Sequence, residues 1–311
     1  MEQKNTPVFM QLLFLGLFLL LGSLVFSFLG IWLGQIIWPE VTDLVNLVSS
    51  ENLSDDEINY LRFIQMLSQF LMFVLPALLL LIVVKKSFVN YFLFDVFPDS
   101  KMFFQIVALV FLSTPLIGLL TTINQMLVLP DWLSGVEIWM KDKEHQAEIL
   151  TNQLAATKNL RYLGINLFVM ALLPAIAEEL VFRGVLLRIM IKSTKKVHLS
   201  IFLVAVLFSA IHFQFYGFLP RLLLGMILGY LLYWTSSMWA PVLFHLTNNA
   251  MAVVAFYLSS SGKITSKPDE LGSVEQSWWF LIFIPFFVYL VYYLNKTSTK
   301  KADYTERILT Q

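Results

Sequence analysis

The chain contains no cysteine in 311 residues. That absence excludes disulfides, thiolate nucleophiles, thiolate-bound metals and iron–sulfur clusters. Charge is also scarce. Only 14% of residues are Asp, Glu, Lys or Arg, against about 25% in soluble domains. Lys+Arg and Asp+Glu number 21 each, so there is no basic excess and nucleic acid is not an expected partner. A Gly-rich phosphate loop, a nucleotide fingerprint and a Gly-x-Ser-x-Gly elbow are all missing. What the chain has in excess is apolar surface: 58% hydrophobic residues and a mean hydropathy of +0.74. That is more than one soluble core of this size can bury, so the expected solvent is a lipid bilayer.

A helix needs about 20 mainly apolar residues to cross a bilayer. Eight runs qualify, near 8–38, 61–84, 102–130, 162–191, 197–213, 220–236, 239–258 and 277–294. The expected fold is all-α, an integral membrane bundle of about eight helices in one membrane domain. It divides into 1–160 (three helices and an outer connection), 161–260 (four helices) and 261–311 (a last helix and a polar tail). The first run is longer than a signal-peptide core and lacks a small-residue cleavage site, so it reads as a retained helix. With the N-terminus inside, 13 of the 21 Lys/Arg fall on the side of the termini and eight, including Arg221, Lys4's opposite number Lys267 and Lys143, on the other. The positive-inside rule then favours both termini in the cytoplasm. Residues 133–157 can form an amphipathic helix on the outer surface, with a lid over a site as the minor reading. The tail 295–311 reads as a loose polar end. Pro76, Pro115, Pro174 and Pro285 fall inside runs and are expected to kink them.

Ionisable groups at bilayer depth are costly and mark function by default. Four stretches stand out: Glu178-Glu179-x-x-x-Arg183, Phe208-x-x-x-His212, His245, and Asn248-Asn249. Only four histidines exist; His145 falls in a surface segment and His198 at a helix start. Glu179 and Arg183 are spaced i,i+4 and share a face, so they can pair. Glu178 is i,i+5 from Arg183, about 140° round a 3.6-residue helix, and points elsewhere. The bland reading is that both acids only anchor Arg183. His245 and Asn249 are again i,i+4; Asn248, at i,i+3, is a weaker candidate. Glu178 and His212 lie equally far from the Lys192–Lys196 turn and so at equal depth. His245 is only six residues beyond Trp239, roughly 9 Å, and fits that depth less well.

Together these stretches resemble the CAAX-protease and bacteriocin-processing (Abi) family of intramembrane proteases. That family is marked by Glu-Glu-x-x-x-Arg, Phe-x-x-x-His and His-x-x-x-Asn stretches. All three occur here in that order, as Glu178–Arg183, Phe208–His212 and His245–Asn249. The resemblance implies that Glu178 is the essential acid, His212 its partner, and His245 with Asn249 a second pair, with Glu179 and Arg183 in support.

Without a cysteine nucleophile, peptide hydrolysis calls for an activated water and a stabilised oxyanion. Two versions fit the same residues. In one, Glu178 is the general base, His212 holds the water, and His245 and Asn249 face the oxyanion. In the other, Glu178, His212 and His245 bind one Zn²⁺ with water in the open position. The resemblance leaves metal-dependence open. The expected partner is a membrane-embedded or membrane-associated peptide or protein, lipidated ones included. Two further classes compete: a bacteriocin-immunity or scaffold protein without proteolysis, and an ion-coupled transporter.

Overall fold

The computed structural model describes residues 6–41, 47, 50, 53–264 and 278–310. Lys4, Lys267 and residue 277, which entered the charge and span readings, lie outside the described residues. Ten longer helices organise the described residues: α1 Val8–Ile37, α2 Asp55–Val84, α3 Ser100–Gln125, α4 Ser134–Ala155, α5 Leu160–Thr194, α6 Val197–Ala210, α7 Phe218–Thr235, α8 Trp239–Ser260, α9 Ile284–Thr297 and α10 Lys301–Thr310. There is no strand among the described residues. The protein is an all-α, polytopic membrane protein.

The count of spans is lower than the eight expected. Among the described residues six helices are long and apolar enough to cross, and seven if the last, bent pair is counted as one. The shortfall lies at α6, which has 14 residues and so reaches about 21 Å at 1.5 Å per residue. That falls short of the roughly 30 Å hydrocarbon core. The last span bends by 66° between Leu281–Thr297 and Lys301–Leu309.

Two of the expected proline kinks take a specific form. Proline lacks an N–H and its ring clashes with the carbonyl four residues back. The chain accommodates Pro76 and Pro174 by widening the preceding turn into π-helix, at Phe70–Val74 and Leu167–Leu172. Pro115 stays inside α3. A third π segment, Leu180–Leu186, follows Glu179 and contains Arg183. Such widened turns are rare and are frequent at functional sites.

Around this frame α5 is the most enclosed span and α1 the most open to lipid. Phe9, Leu13, Leu17, Leu20, Leu24 and Phe28 of α1 are exposed, as a lipid-facing stripe requires. Helices α6 and α7 pack closely because Gly225 and Gly229 offer no side chain. A Cβ on Gly225 would sit 3.0 Å from that of Ala205, and one on Gly229 2.8 Å from Ile201 Cγ2.

Two elements tuck in from the side of the termini. The segment 88–97 rises into the bundle, where Phe92 and Leu93 are fully buried. A Cβ on Gly184 would lie 2.3 Å from Phe92 Cδ1 and 3.4 Å from Met238 Cε. The α7–α8 turn is held there by Met238 N–H donating to the Leu93 carbonyl at 3.0 Å and by Ser237 donating to Val96. The tail is not the loose end expected. Its α10 buries Tyr304 and Ile308 and pairs Arg307 with Asp95 at 2.9 Å. Two apolar side chains on one face of a ten-residue amphipathic helix give it a docking surface that a polar average conceals.

Candidate active site

The raised α7–α8 turn resolves the depth of His245. Met238 lies level with Gly184, so five residues of α5 lead to Glu179 and seven of α8 lead to His245. These are rises of about 7.5 and about 10.5 Å. His245 Nδ1 accordingly lies 2.9 Å from Glu179 Oε1, and Nε2 3.9 Å from Glu178 Oε2. All three side chains are buried.

Glu179 is shared. Its Oε1 also accepts from Arg183 Nη1 at 3.0 Å, the i,i+4 pair the spacing allows. Arg183 is 1% exposed. Its Nη2 donates to the Gly225 carbonyl at 3.1 Å, a contact that the missing side chain at Gly225 makes reachable. The guanidinium stacks over the Phe208 ring at 4.5 Å. Phe208 in turn meets His212 edge-on at 5.1 Å and His245 at 6.1 Å. Sequence reasoning gave Phe208 no task; here it is the wall that separates and spaces Arg183 and both imidazoles.

Ring protonation follows from the partners. A carbonyl or carboxylate can only accept. His212 Nδ1, 2.7 Å from the Phe208 carbonyl, therefore carries the proton, and Nε2 of the neutral ring is left as an acceptor. His245 Nδ1 carries its proton toward Glu179 in the same way. Asn248 Nδ2 donates to Asn249 Oδ1 at 3.3 Å, which leaves the Asn249 amide N–H groups for another acceptor. Behind Glu178 lies the Gln69 side chain, close enough to interact with the carboxylate.

Glu178, His212, His245, Asn248 and Asn249 all line one cavity of about 400 Å³. Glu179 and Arg183 sit behind its wall. The cavity also takes in Thr151 of α4, and Gln214 and Arg221 at the head of α7. It thus opens toward the α4 side, away from the Lys192–Lys196 turn. Helix α4 lies across that mouth. Glu144 Oε2 accepts from Tyr216 N–H at 3.2 Å, and Trp139 packs on Phe215 at 5.3 Å. Partial burial lifts the Glu144 carboxyl above its usual range. The other histidines lie apart: His145 is exposed on α4, and His198 Nδ1 is 3.1 Å from the Tyr230 hydroxyl.

The metal version of the site is less well served. Among the described residues no group of three His, Asp or Glu side chains is arranged to hold a metal ion, Glu178, His212 and His245 included. His245 Nδ1 is committed to Glu179 and His212 Nδ1 to Phe208. That engagement leaves each Nε2 free, as a metal-ligating histidine requires, but the three side chains do not converge as ligands in this arrangement.

Buried and half-buried carboxylates, imidazoles and amides gathered round one cavity within a helical membrane bundle define a class of intramembrane site. The comparison with known families gives that class a narrower description. Residues 161–251 match the family model described as type II CAAX prenyl endopeptidase Rce1-like, which is consistent with the CAAX-protease and bacteriocin-processing family. The matched stretch runs from the start of α5 to Met251 of α8 and contains every residue of the three motif stretches. No curated protein and no solved structure matches the chain.

Proposed function

We propose that the protein is an intramembrane endopeptidase that cleaves a peptide bond with water activated by Glu178. The observation that carries this reading is the convergence of Glu178 from α5, His212 from the turn after α6, and His245 and Asn249 from α8 on one cavity. Glu178 takes a proton from water and passes it to the leaving amine. The acceptor Nε2 of His212 holds the same water. The Asn249 amide donates to the oxyanion, and the His245 ring faces it beside that amide. Glu179 fixes the His245 ring through Nδ1, and Arg183 holds Glu179 in place. The substrate is a membrane-embedded or membrane-associated peptide segment.

The test compares membrane proteomes of cells carrying the wild-type protein and a Glu178→Ala variant. An uncut polypeptide that accumulates only with the variant supports proteolysis. Identical proteomes, with any protection or transport phenotype retained, would move the reading to an immunity, scaffold or transport protein. Metal is tested separately. Cleavage is expected to survive exhaustive chelation. Loss that Zn²⁺ alone restores would reinstate Glu178, His212 and His245 as ligands.

Orientation is part of the same proposal. With both termini in a bacterial cytoplasm, the cavity mouth under α4 faces the outside. The lack of native cysteine makes this easy to check with single-cysteine variants. Lys143→Cys, on α4, should react with a membrane-impermeant maleimide in intact cells. Lys195→Cys should react only after permeabilisation. The reverse pattern inverts the topology and puts the mouth toward the cytoplasm.

A further inference from the structure

Arg221 is a cation inside the cavity that the catalytic scheme does not use. Its polar partners are neutral: Nη2 donates to Gln214 Oε1 at 2.7 Å and Nη1 to the Gln214 carbonyl at 3.3 Å. Among the described residues, no carboxylate lies within ion-pair distance of it. Its nearest acids, Glu144 and Glu178, interact with it only at longer range. Glu144 is itself engaged by Tyr216 N–H. Both Arg221 and Gln214 line the same cavity as Glu178, His212 and His245. Gly217 leaves the guanidinium its room, since a Cβ there would lie 3.1 Å from Arg221 Nη2.

A partly buried guanidinium that lines a cavity at the head of a spanning helix without a close counter-charge is costly, and such residues mark substrate contacts. Arg183, the arginine just behind the cavity wall, has its carboxylate. Arg221 lacks one, and its planar fork matches a carboxylate with two parallel hydrogen bonds. Two of its five N–H groups are taken by Gln214, which braces the fork and leaves three for a ligand.

We propose that Arg221, braced by Gln214, is the subsite that reads a carboxylate on the peptide substrate and so helps determine which peptides are cut. It rests on the cavity being the peptide-binding cavity of the proposed endopeptidase. The carboxylate has two chemical sources, a free peptide C-terminus or an Asp or Glu side chain, and the test separates them.

The detergent-solubilised full chain is offered two random pentapeptide pools, one ending in a free acid and the other in an amide. Retained peptides are identified by mass spectrometry. Wild-type protein should retain the acid pool about 10- to 100-fold better, the range for a charge-assisted pair. Arg221→Gln should lose that preference, and Arg221→Lys, which keeps charge without the fork, should keep only part of it. If retention instead follows Asp or Glu at one position in both pools and Arg221→Gln abolishes it, the subsite stands and reads a side chain. Equal retention by wild type and Arg221→Gln, or retention of neither pool by wild type, overturns it.

Cleavage of the retained peptides gives the second readout. The Arg221→Gln loss should fall on KM for carboxylate-bearing peptides; a fall in kcat alone would assign Arg221 to the chemical step and overturn the subsite. Peptides captured through Arg221 but never cut would defeat the endopeptidase reading and leave the subsite standing. Peptides cut by wild type with no carboxylate preference would do the opposite.

Discussion

Glu178→Gln should lower the cleavage rate by about 10³- to 10⁴-fold, the upper part of the range for a lost general acid–base group. At 1.36 kcal/mol per tenfold that is about 4–5.5 kcal/mol of barrier. The amide is close to the carboxylate in size and can still meet Gln69, so packing on α5 is preserved. What disappears is the one carboxylate among the described residues that line the cavity. Glu179 cannot replace it, because Oε1 already serves both Arg183 and His245. His212→Ala and Asn249→Ala should cost less, about 10²- to 10³-fold, as single positioning or oxyanion donors do. KM should change little in all three. The measurement is single-turnover cleavage of the peptide identified by the Glu178→Ala comparison, with each variant at matched protein level. A Glu178→Gln protein that cleaves at the wild-type rate would remove Glu178 from the chemistry.

The residues of that scheme were legible in the sequence because the bilayer makes them expensive. Glu178, Glu179, Arg183, His212 and His245 stand out in apolar runs that have no other use for charge. The i,i+4 rule likewise anticipated the Glu179–Arg183 contact. Other features were hidden for definite reasons. Arg221 sits at the head of α7 and was counted with the outer-side charges. Only the fold of 211–217 turns its guanidinium toward the cavity instead of water. Phe208 is one phenylalanine among 28, and nothing local distinguishes a cavity wall from a lipid-facing ring. The depth of His245 depended on the segment 88–97, whose Phe92 fills the space beside Gly184 about ninety residues away. Pairing of that kind is non-local and leaves no periodic signal. The α6 run looked long enough to cross because its apolar character continues to Phe213, past the point where the helix stops at Ala210. Hydropathy reports solvent preference and does not see where backbone hydrogen bonding ends.

Arg183→Met should be the most destabilising single change in the motif region. Removing the guanidinium leaves Glu179, fully buried, with His245 as its one remaining partner among the described residues, and breaking a buried pair in this way costs about 3–5 kcal/mol. The Gly225 carbonyl loses its donor and Phe208 its cation at the same time. A lower Tm in detergent and reduced protein in the membrane are expected, with little activity left. Stability and catalysis can then be separated with Glu179→Gln. Paired with Arg183→Met, it removes the orphaned charge, and the double variant should recover much of the lost Tm. Coupling between the two substitutions should reach a few kcal/mol, because the residues share one hydrogen bond. Activity should not recover with it. The His245 ring would have lost the carboxylate that holds Nδ1, and an imidazole free to turn faces the oxyanion only part of the time. A double variant that regained both stability and full activity would show that Glu179 and Arg183 serve packing alone, and that His245 is oriented by α8 itself.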